Sequence, residues 1–326
     1  MQLTTSPNPP QTYLVTGGTG SFGSALSSHL LADPDGPRIR ILSRDEHKQD
    51  DMQSACPAGP RLTYIIGDVR NSQTLDVAAD GCAAIVHAAA LKIVKQGEIH
   101  PDEFNMTNVE GTRNVVSAAI ANRVPHSLFI SSDKAVQPIN NYGKSKAAAE
   151  GEFIQGNSKG VSRGCNFCIV RGGNVWESRG SVIDRWKAKT IEHASIYVTD
   201  PDVTRFYLSM QEWVSFCARV VREMRGGEIF IPKCRAWRLG DLARAYGNLY
   251  HVSGFRNGDK QHELLIAPDE IGRTVDIGWA YVIQPSADFR RVWNYQTWDG
   301  IPIESDWQYS SDRVERMSIE ELRNIL

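Results

Sequence analysis

Thr12-Tyr13-Leu14-Val15-Thr16-Gly17-Gly18-Thr19-Gly20-Ser21-Phe22-Gly23 is the stretch that decides the fold. An apolar, β-branched run of strand length leads straight into a glycine-rich turn, and an amphipathic stretch follows. The turn satisfies GxGxxG through Gly18, Gly20 and Gly23, and TGxxGxxG through Gly17, Gly20 and Gly23. Such glycines allow a tight turn, a bare backbone beside a pyrophosphate, and close packing of helix on strand. The helix N-terminus then offers free N–H groups and a partial positive charge to the anion. In strand–turn–helix context the motif is specific for a bound dinucleotide.

Outward from that turn, apolar runs alternate with helical stretches. The pattern predicts strands at 12–16, 38–43, 62–66, 83–88, 126–131 and 167–171, and helices at about 22–32, 45–54, 72–79, 102–122 and 141–156. Strands alternating with helices of this length imply right-handed crossovers and an α/β, doubly wound parallel Rossmann sheet covered on both faces. After Arg171 the alternation is lost and glycines punctuate shorter elements. We therefore expect residues 1–173 to form a dinucleotide-binding domain, with a returning segment at about 203–225. Residues 174–202 and 226–326 are expected to form a smaller α/β substrate-binding domain, with a ligand crevice between the two.

The 326 residues suit one large domain or two joined ones. Thirty-six basic and 38 acidic side chains give a net charge of −2, which argues against a nucleic-acid partner. No run approaches the roughly 18 apolar residues of a membrane span. The opening MQLTTSPNPP has neither the basic nor the apolar part of a secretory signal and reads as a frayed tail. Six sparse cysteines exclude a disulfide scaffold. Cys165 and Cys168 form a CxxC without a second pair nearby, inside CNFCIV, which reads as a buried strand, so no metal is expected. The cytoplasm is the expected compartment.

The chemistry concentrates at three places. The second strand ends Ser43-Arg44-Asp45, with Lys48 one turn on. An arginine there suits a ribose 2′-phosphate, so NADP is expected over NAD, although Asp45 could still take a 2′-hydroxyl. Asp68 stands after the third strand, placed for the adenine. Tyr142 and Lys146 share one helical face as YxxxK. A phenol of pKa about 10 needs roughly three units of lowering, about 4 kcal/mol, to work as a base at neutrality. Ser132-Asp133-Lys134 closes the fifth strand, where doubly wound sheets place their chemistry. A dehydrogenase needs the serine; the adjacent acid and base suit elimination of water, given Asp133 raised and Lys134 lowered in pKa.

These stretches, with HAAALK (87–92), SSDKAVQPINNYGKSK (131–146), SRGSV (178–182), TDPDVTRF (199–206), GGEIFIPK (226–233), HE (262–263) and YSSD (309–312), make the chain resemble an extended short-chain dehydrogenase/reductase. Within that superfamily it is similar to the polysaccharide-biosynthesis UDP-N-acetylglucosamine 4,6-dehydratases of inverting type. The resemblance implies NADP on Gly17, Thr19, Gly20, Ser21, Phe22, Gly23, Ser43, Arg44, Asp45, Lys48, Asp68, Val69, Ala88, Lys92, Tyr142 and Lys146. It implies catalysis by Ser132, Asp133, Lys134, Tyr142 and Lys146: Tyr142 takes the C4 hydroxyl proton, Lys134 the C5 proton, and Asp133 protonates the leaving C6 hydroxyl. A UDP-hexosamine would touch Lys92, Asn174 and Val182, with Arg205 and Arg179 on its diphosphate, unless Arg205 merely pairs with Asp202. A homo-oligomer is implied too. The chain departs from the group at Gly172-Gly173, where an aromatic is usual, at Trp176-Glu177, and across 234–260, which bears on the sugar rather than the reaction. The rivals are a nucleotide-sugar epimerase, a 5,6-dehydratase, and a dinucleotide-binding sensor without catalysis.

Overall fold

The computed structural model describes residues 11–55, 59–176, 178–184, 186, 196–247, 250–255, 257–293 and 295–326. The first ten residues, Cys56 and Glu177 lie outside the described residues. Strands β1 (Thr12–Thr16), β2 (Arg38–Ser43), β3 (Leu62–Ile66), β4 (Ala84–His87), β5 (His126–Ser132) and β6 (Asn166–Gly172) pair in parallel in the order β3-β2-β1-β4-β5-β6. Val15 sits opposite Ile41 on one side and Val86 on the other. Their buried, near-continuous apolar runs require cover on both faces. Helices α1 (Ser21–Leu31), α2 (Glu46–Ala55) and α3 (Ser72–Ala79) fall where the sequence placed them. One apolar layer contains Leu75, Val115, Phe129, Phe153 and Phe167; the other contains Leu26, Ile41, Trp213, Val220 and Phe230. The order reverses between β1 and β4, and that switch point opens the crevice.

The 102–122 stretch is not one regular helix. After α4 (Val94–Ile99), which the sequence reading missed, come α5 (Pro101–Phe104), a π-helical segment Asn105–Glu110, and α6 (Gly111–Ala121). The wide turn swings Thr107 and Asn108 into the interior, where both are buried. Gly97 is a poor helix residue by propensity, yet a Cβ there would lie 3.2 Å from the amide nitrogen of Tyr142. Packing against α7 (Asn141–Gly160) outweighs propensity at that point.

Beyond β6 lie β7 (Asn174–Val175), β8 (Ile196–Val198), β9 (Thr204–Leu208), β10 (Ile229–Pro232), β11 (Arg235–Arg238), β12 (Tyr250–Val252), β13 (Thr274–Asp276), β14 (Ala280–Ile283) and β15 (Ile301–Pro302). The expectation that 226–326 belongs to the smaller domain is corrected for its strands β10 and β13 to β15. β10 adds in parallel to β6, and β14, β13 and β15 continue the same sheet in antiparallel fashion, making ten strands. Fully buried Phe230 and Ile231 explain why: such a run is stable only inside a covered sheet. Gly226 and Gly227, at φ 109° and 91°, swing the chain into that register. The smaller layer holds β11-β9-β7 and β12-β8 around Ile196, Val203, Trp237 and Leu242. The helix Met210–Glu223, closed by a Ser209/Glu212 capping box, packs on α1.

Candidate active site

At the first turn the glycines are sterically required. Gly17 has φ +67°, and a Cβ on it would lie 2.8 Å from the Ala89 backbone; one on Gly23 would lie 2.5 Å from Gly18 Cα. Gly20 caps α1 without a side-chain acceptor, so the first-turn N–H groups are left for an anion. This cradle opens into a cleft of about 1770 Å3, larger than an ordinary small-molecule pocket and roomy enough for a dinucleotide beside a second nucleotide. Every cofactor-binding and substrate-binding residue expected from the sequence lines that cleft. The donor set fits a nicotinamide dinucleotide.

At the ribose end, Asp45 is already engaged: Oδ1 accepts from the Lys48 amide at 3.1 Å and Oδ2 pairs with the Lys48 ammonium at 2.6 Å. Arg44 is half-exposed and reaches Asp68 at 3.5 Å. Burial alone would raise the Asp68 carboxyl, but hydrogen bonds from Arg70 and the Arg44 charge outweigh it and hold it below the usual range. The Ser43 hydroxyl accepts from Gln49 Nε2 at 3.1 Å. Val69 and Ala88 form the apolar walls between these groups and the strand ends.

At the catalytic end, Asn140 caps α7 by accepting from the Gly143 amide at 2.7 Å. A side chain on Gly143 would collide with the Lys134 carbonyl oxygen, so glycine lets α7 sit against the Asp133–Ala135 turn. That packing brings the Tyr142 phenol beside the Ser132 hydroxyl. Ser132 Oγ donates to Asp133 Oδ1 at 2.7 Å, and Lys134 Nζ donates to the same oxygen at 3.0 Å. Asp133 is fully buried and lies beneath Ser132 and Lys134, which themselves line the cleft. It does not line the cleft itself, and its Oδ2 has no hydrogen-bond partner.

The electrostatics correct two expectations. Burial pulls the Lys134 ammonium down, but the carboxylates of Asp133 and Glu263 outweigh it and hold it above the ordinary lysine value. Burial raises the Tyr142 phenol, and the Lys134 charge and Ser132 hydroxyl only partly oppose it. It is Lys146 that is lowered: burial brings its ammonium down to about 7, against the pull of Glu150. Lys146 Nζ donates to the Ile130 carbonyl at 2.7 Å and stands 3.8 Å from the Phe129 ring centroid.

Across the cleft from the glycine turn, the Arg179 amide donates to Ser21 Oγ at 3.0 Å, and Lys92 Nζ donates to the Arg179 carbonyl at 3.0 Å. The SRGSV loop therefore roofs the pyrophosphate turn. Burial, ahead of the neighbouring charges, lowers the Lys92 ammonium. Asn174 presents an unpartnered, buried Oδ1, and Val182 supplies apolar wall. Arg205 departs from expectation. Its guanidinium donates to the carbonyls of Thr204, Lys260 and Gln261 at 2.7, 2.9 and 3.1 Å, which leaves little of its fork for a diphosphate. Asp202 is paired with Arg238 instead. The missing aromatic at Gly172 has a physical counterpart: Trp213 fills that space, and a Cβ on Gly172 would lie 2.9 Å from its ring.

Sequence reading missed several residues. Glu263 is 2% exposed and lies 3.4 Å from Lys134. Asn108 pins the Lys92 loop to α7: its side chain accepts from the Leu91 amide at 2.8 Å and donates to the Leu91 carbonyl at 3.0 Å and Ser145 Oγ at 2.9 Å. Thr107 Oγ1 and Trp237 Nε1 are buried without hydrogen-bond partners and belong to residues lining the cleft. Behind them, buried Arg171 grips Glu150 at 2.8 Å and Glu270 at 2.7 Å, tying β6 to α7. Polar residues on otherwise apolar helix faces were the available signal for Thr107 and Asn108. Cys165 and Cys168 are buried, with Cys168 Sγ donating to Glu228 at 2.9 Å and burial holding its thiol well above the usual value. Among the described residues no group of three His, Cys, Asp or Glu could hold a metal ion, and no helix is long and apolar enough to cross a membrane.

Sheet order, glycine turn, and a Tyr142–Lys146 pair facing Ser132 define an extended short-chain dehydrogenase/reductase, an enzyme of the nucleotide-sugar dehydratase/epimerase type. Residues 13–285 match the family described as polysaccharide biosynthesis protein, and the chain belongs to it. It is 40% identical over 279 residues to a Campylobacter jejuni UDP-N-acetylglucosamine 4,6-dehydratase (inverting), covering 85% of this chain and 83% of that one. It is 36% identical over 326 residues to a Rickettsia felis protein named UDP-glucose 4-epimerase, covering 97% and 95%. Among solved structures it is similar to Pen from Bacillus thuringiensis, at TM-score 0.89 and 30% identity, covering 98% of each chain.

Proposed function

We propose that the chain is an NADP-dependent UDP-N-acetylglucosamine 4,6-dehydratase that inverts C5, a lyase producing a 4-keto-6-deoxy sugar nucleotide for polysaccharide biosynthesis. The observation that carries this reading is the Asp133–Lys134 pair, at 3.0 Å, joined through Ser132 to Tyr142. Bound NADP supplies the hydride acceptor for C4 and the hydride donor for C6. The residues do the rest. Tyr142 takes the C4 hydroxyl proton, with Lys146 beneath it.

Proton transfer from Lys134 Nζ to Asp133 Oδ1 breaks one N–H and makes one O–H, leaving a neutral amine and a carboxylic acid. The amine removes the C5 proton, acidified by the new ketone. Because Asp133 is buried, its proton reaches the C6 hydroxyl through Ser132, which takes it on Oγ while giving its own to the leaving oxygen. This relay replaces direct delivery from Asp133. Lys92, Asn174, Arg179 and Val182 hold the UDP-hexosamine, and Arg205 organises the 260–263 segment. NADP over NAD is supported by a half-exposed Arg44 and by an Asp45 occupied with Lys48.

The reading divides the chain between a cofactor part, residues 1–173 with 203–225, and a substrate part drawn from the remainder. It also carries with it a homo-oligomer in the cytoplasm. The relative named an epimerase favours a second reading, 4-epimerisation, in which Tyr142 and Lys146 suffice and Asp133–Lys134 has no task. Proton NMR after incubation with UDP-N-acetylglucosamine and NADP separates them. A new C6 methyl signal is expected; a product that keeps its C6 hydroxyl refutes dehydration.

A further inference from the structure

Glu263 has no task in the steps above, yet it is among the most enclosed acids of the molecule. It lies 117 or more positions beyond every residue of the Ser132–Lys146 constellation, and the segment carrying it is fastened at several points. The Glu263 amide donates to Ser311 Oγ at 2.9 Å, and its carbonyl accepts from the Ser311 amide at 2.9 Å. Arg205 holds the carbonyls of Lys260 and Gln261 at 2.9 and 3.1 Å, and Lys260 Nζ reaches back to the Val136 carbonyl at 2.6 Å. The carboxylate so placed meets Lys134 at 3.4 Å, Lys260 at 3.6 Å and Arg205 at 3.8 Å.

The charged and titratable groups around the pair are thus Tyr142 on α7, Arg205 on β9, Lys260 and Glu263 on the 260–263 segment, and Cys234, whose thiol faces Asp133. Three cations face two carboxylates. An acid–base pair sharing one proton works only in the window where that proton is present, and its two titrations belong to the pair as a unit. A fixed negative charge beside the pair widens that window upward, because it favours keeping the proton. A fixed positive charge does the opposite.

We propose that Glu263 is a positioning residue: it anchors the Lys134 side chain over the sugar space and sets how tightly the Asp133–Lys134 pair holds its shared proton, with Lys260 and Arg205 as counterweights. This rests on the dehydratase reading. Glu263 does not line the cleft, so it acts through Lys134.

The test is the pH profile of 4-keto-6-deoxy product formation for wild type, Glu263→Gln, Glu263→Asp and Lys260→Met, each with NADP loaded. Glu263→Gln removes the charge and keeps the shape. The alkaline limb of its profile should move down by about one pH unit or more, alongside a lower kcat. Lys260→Met removes an opposing charge, so its limb should move up. Glu263→Asp keeps the charge and should keep the limb while losing kcat through shorter reach. If Glu263→Gln does not fold, the opposite shift in Lys260→Met still decides. Limbs that coincide with wild type across the soluble variants overturn the proposal and leave Glu263 a structural residue. Wild-type enzyme that forms no 6-deoxy product overturns the dehydratase reading instead, and the two failures are distinct.

Discussion

Lys134→Met removes the ammonium while keeping most of the stem. In the native site that ammonium lies 3.0 Å from Asp133 and 3.4 Å from Glu263. With an effective dielectric constant near 20, attractions at those distances are about 5 kcal/mol each before desolvation is subtracted. The net loss on breaking such a pair is smaller, about 3–5 kcal/mol of folding stability, because two carboxylates are left without their partner. The chemistry loses its C5 base, about 10²–10⁴ in rate, which corresponds to about 3–5 kcal/mol of barrier. Lys146 and the glycine turn are untouched, so NADP binding persists, and the C4 hydride step slows only by the part of the Tyr142 lowering that the Lys134 charge supplies. Stopped-flow absorbance should therefore show reduced nicotinamide accumulating on the variant with UDP-N-acetylglucosamine, while NMR shows almost no 6-deoxy product. A variant that binds NADP normally and still eliminates water within about threefold of wild type would refute the assignment of Lys134.

Three further outcomes follow from other parts of the cleft. Arg44→Ala should weaken NADP by about 10- to 100-fold in a fluorescence titration and leave NAD nearly unchanged, because only the 2′-phosphate uses that charge. Gly23→Ala places a Cβ 2.5 Å from Gly18 Cα and should reduce affinity for either dinucleotide by about tenfold or more in the same titration, with the sheet intact by circular dichroism. Lys146 carries a folded-state pKa of about 7, below its ordinary 10.5, so the unfolded chain binds more protons between those values and this group makes stability rise with pH there. Lys146→Met should consequently gain about 2–4 kcal/mol at neutral pH in urea unfolding of the ligand-free protein, lose that gain as pH approaches the lysine's ordinary value, and be nearly inactive.

What the sequence made legible was local. The glycine turn, the six parallel strands, YxxxK and Ser132-Asp133-Lys134 each declare themselves within a few residues, through periodicity or turn chemistry. The features it hid depend on partners far along the chain. β10 reads as one more short apolar run, and only its pairing with β6 shows that 226–326 is shared between the large sheet and the smaller layer. HE (262–263) stood out only through the resemblance, which gave Glu263 no role; that role arises because the 260–263 segment folds back against the turn after β5. The pKa expectations failed for the same reason. The Asp133–Lys134 adjacency suggested an amine lowered by burial, whereas a second carboxylate, invisible from that stretch, reverses the balance. Arg205 was expected on a diphosphate or paired with Asp202, but three carbonyls claim it once β9 and the 260–263 segment meet.

The most direct test of the central claim, that hydride leaves C4 and returns to C6 around an elimination at C5, is NMR of the product formed from UDP-N-acetylglucosamine in heavy water. The account expects one deuterium at C5, with inverted configuration, and a C6 methyl built only from protium. A product with its C6 hydroxyl intact, or with C5 still protiated, would contradict it.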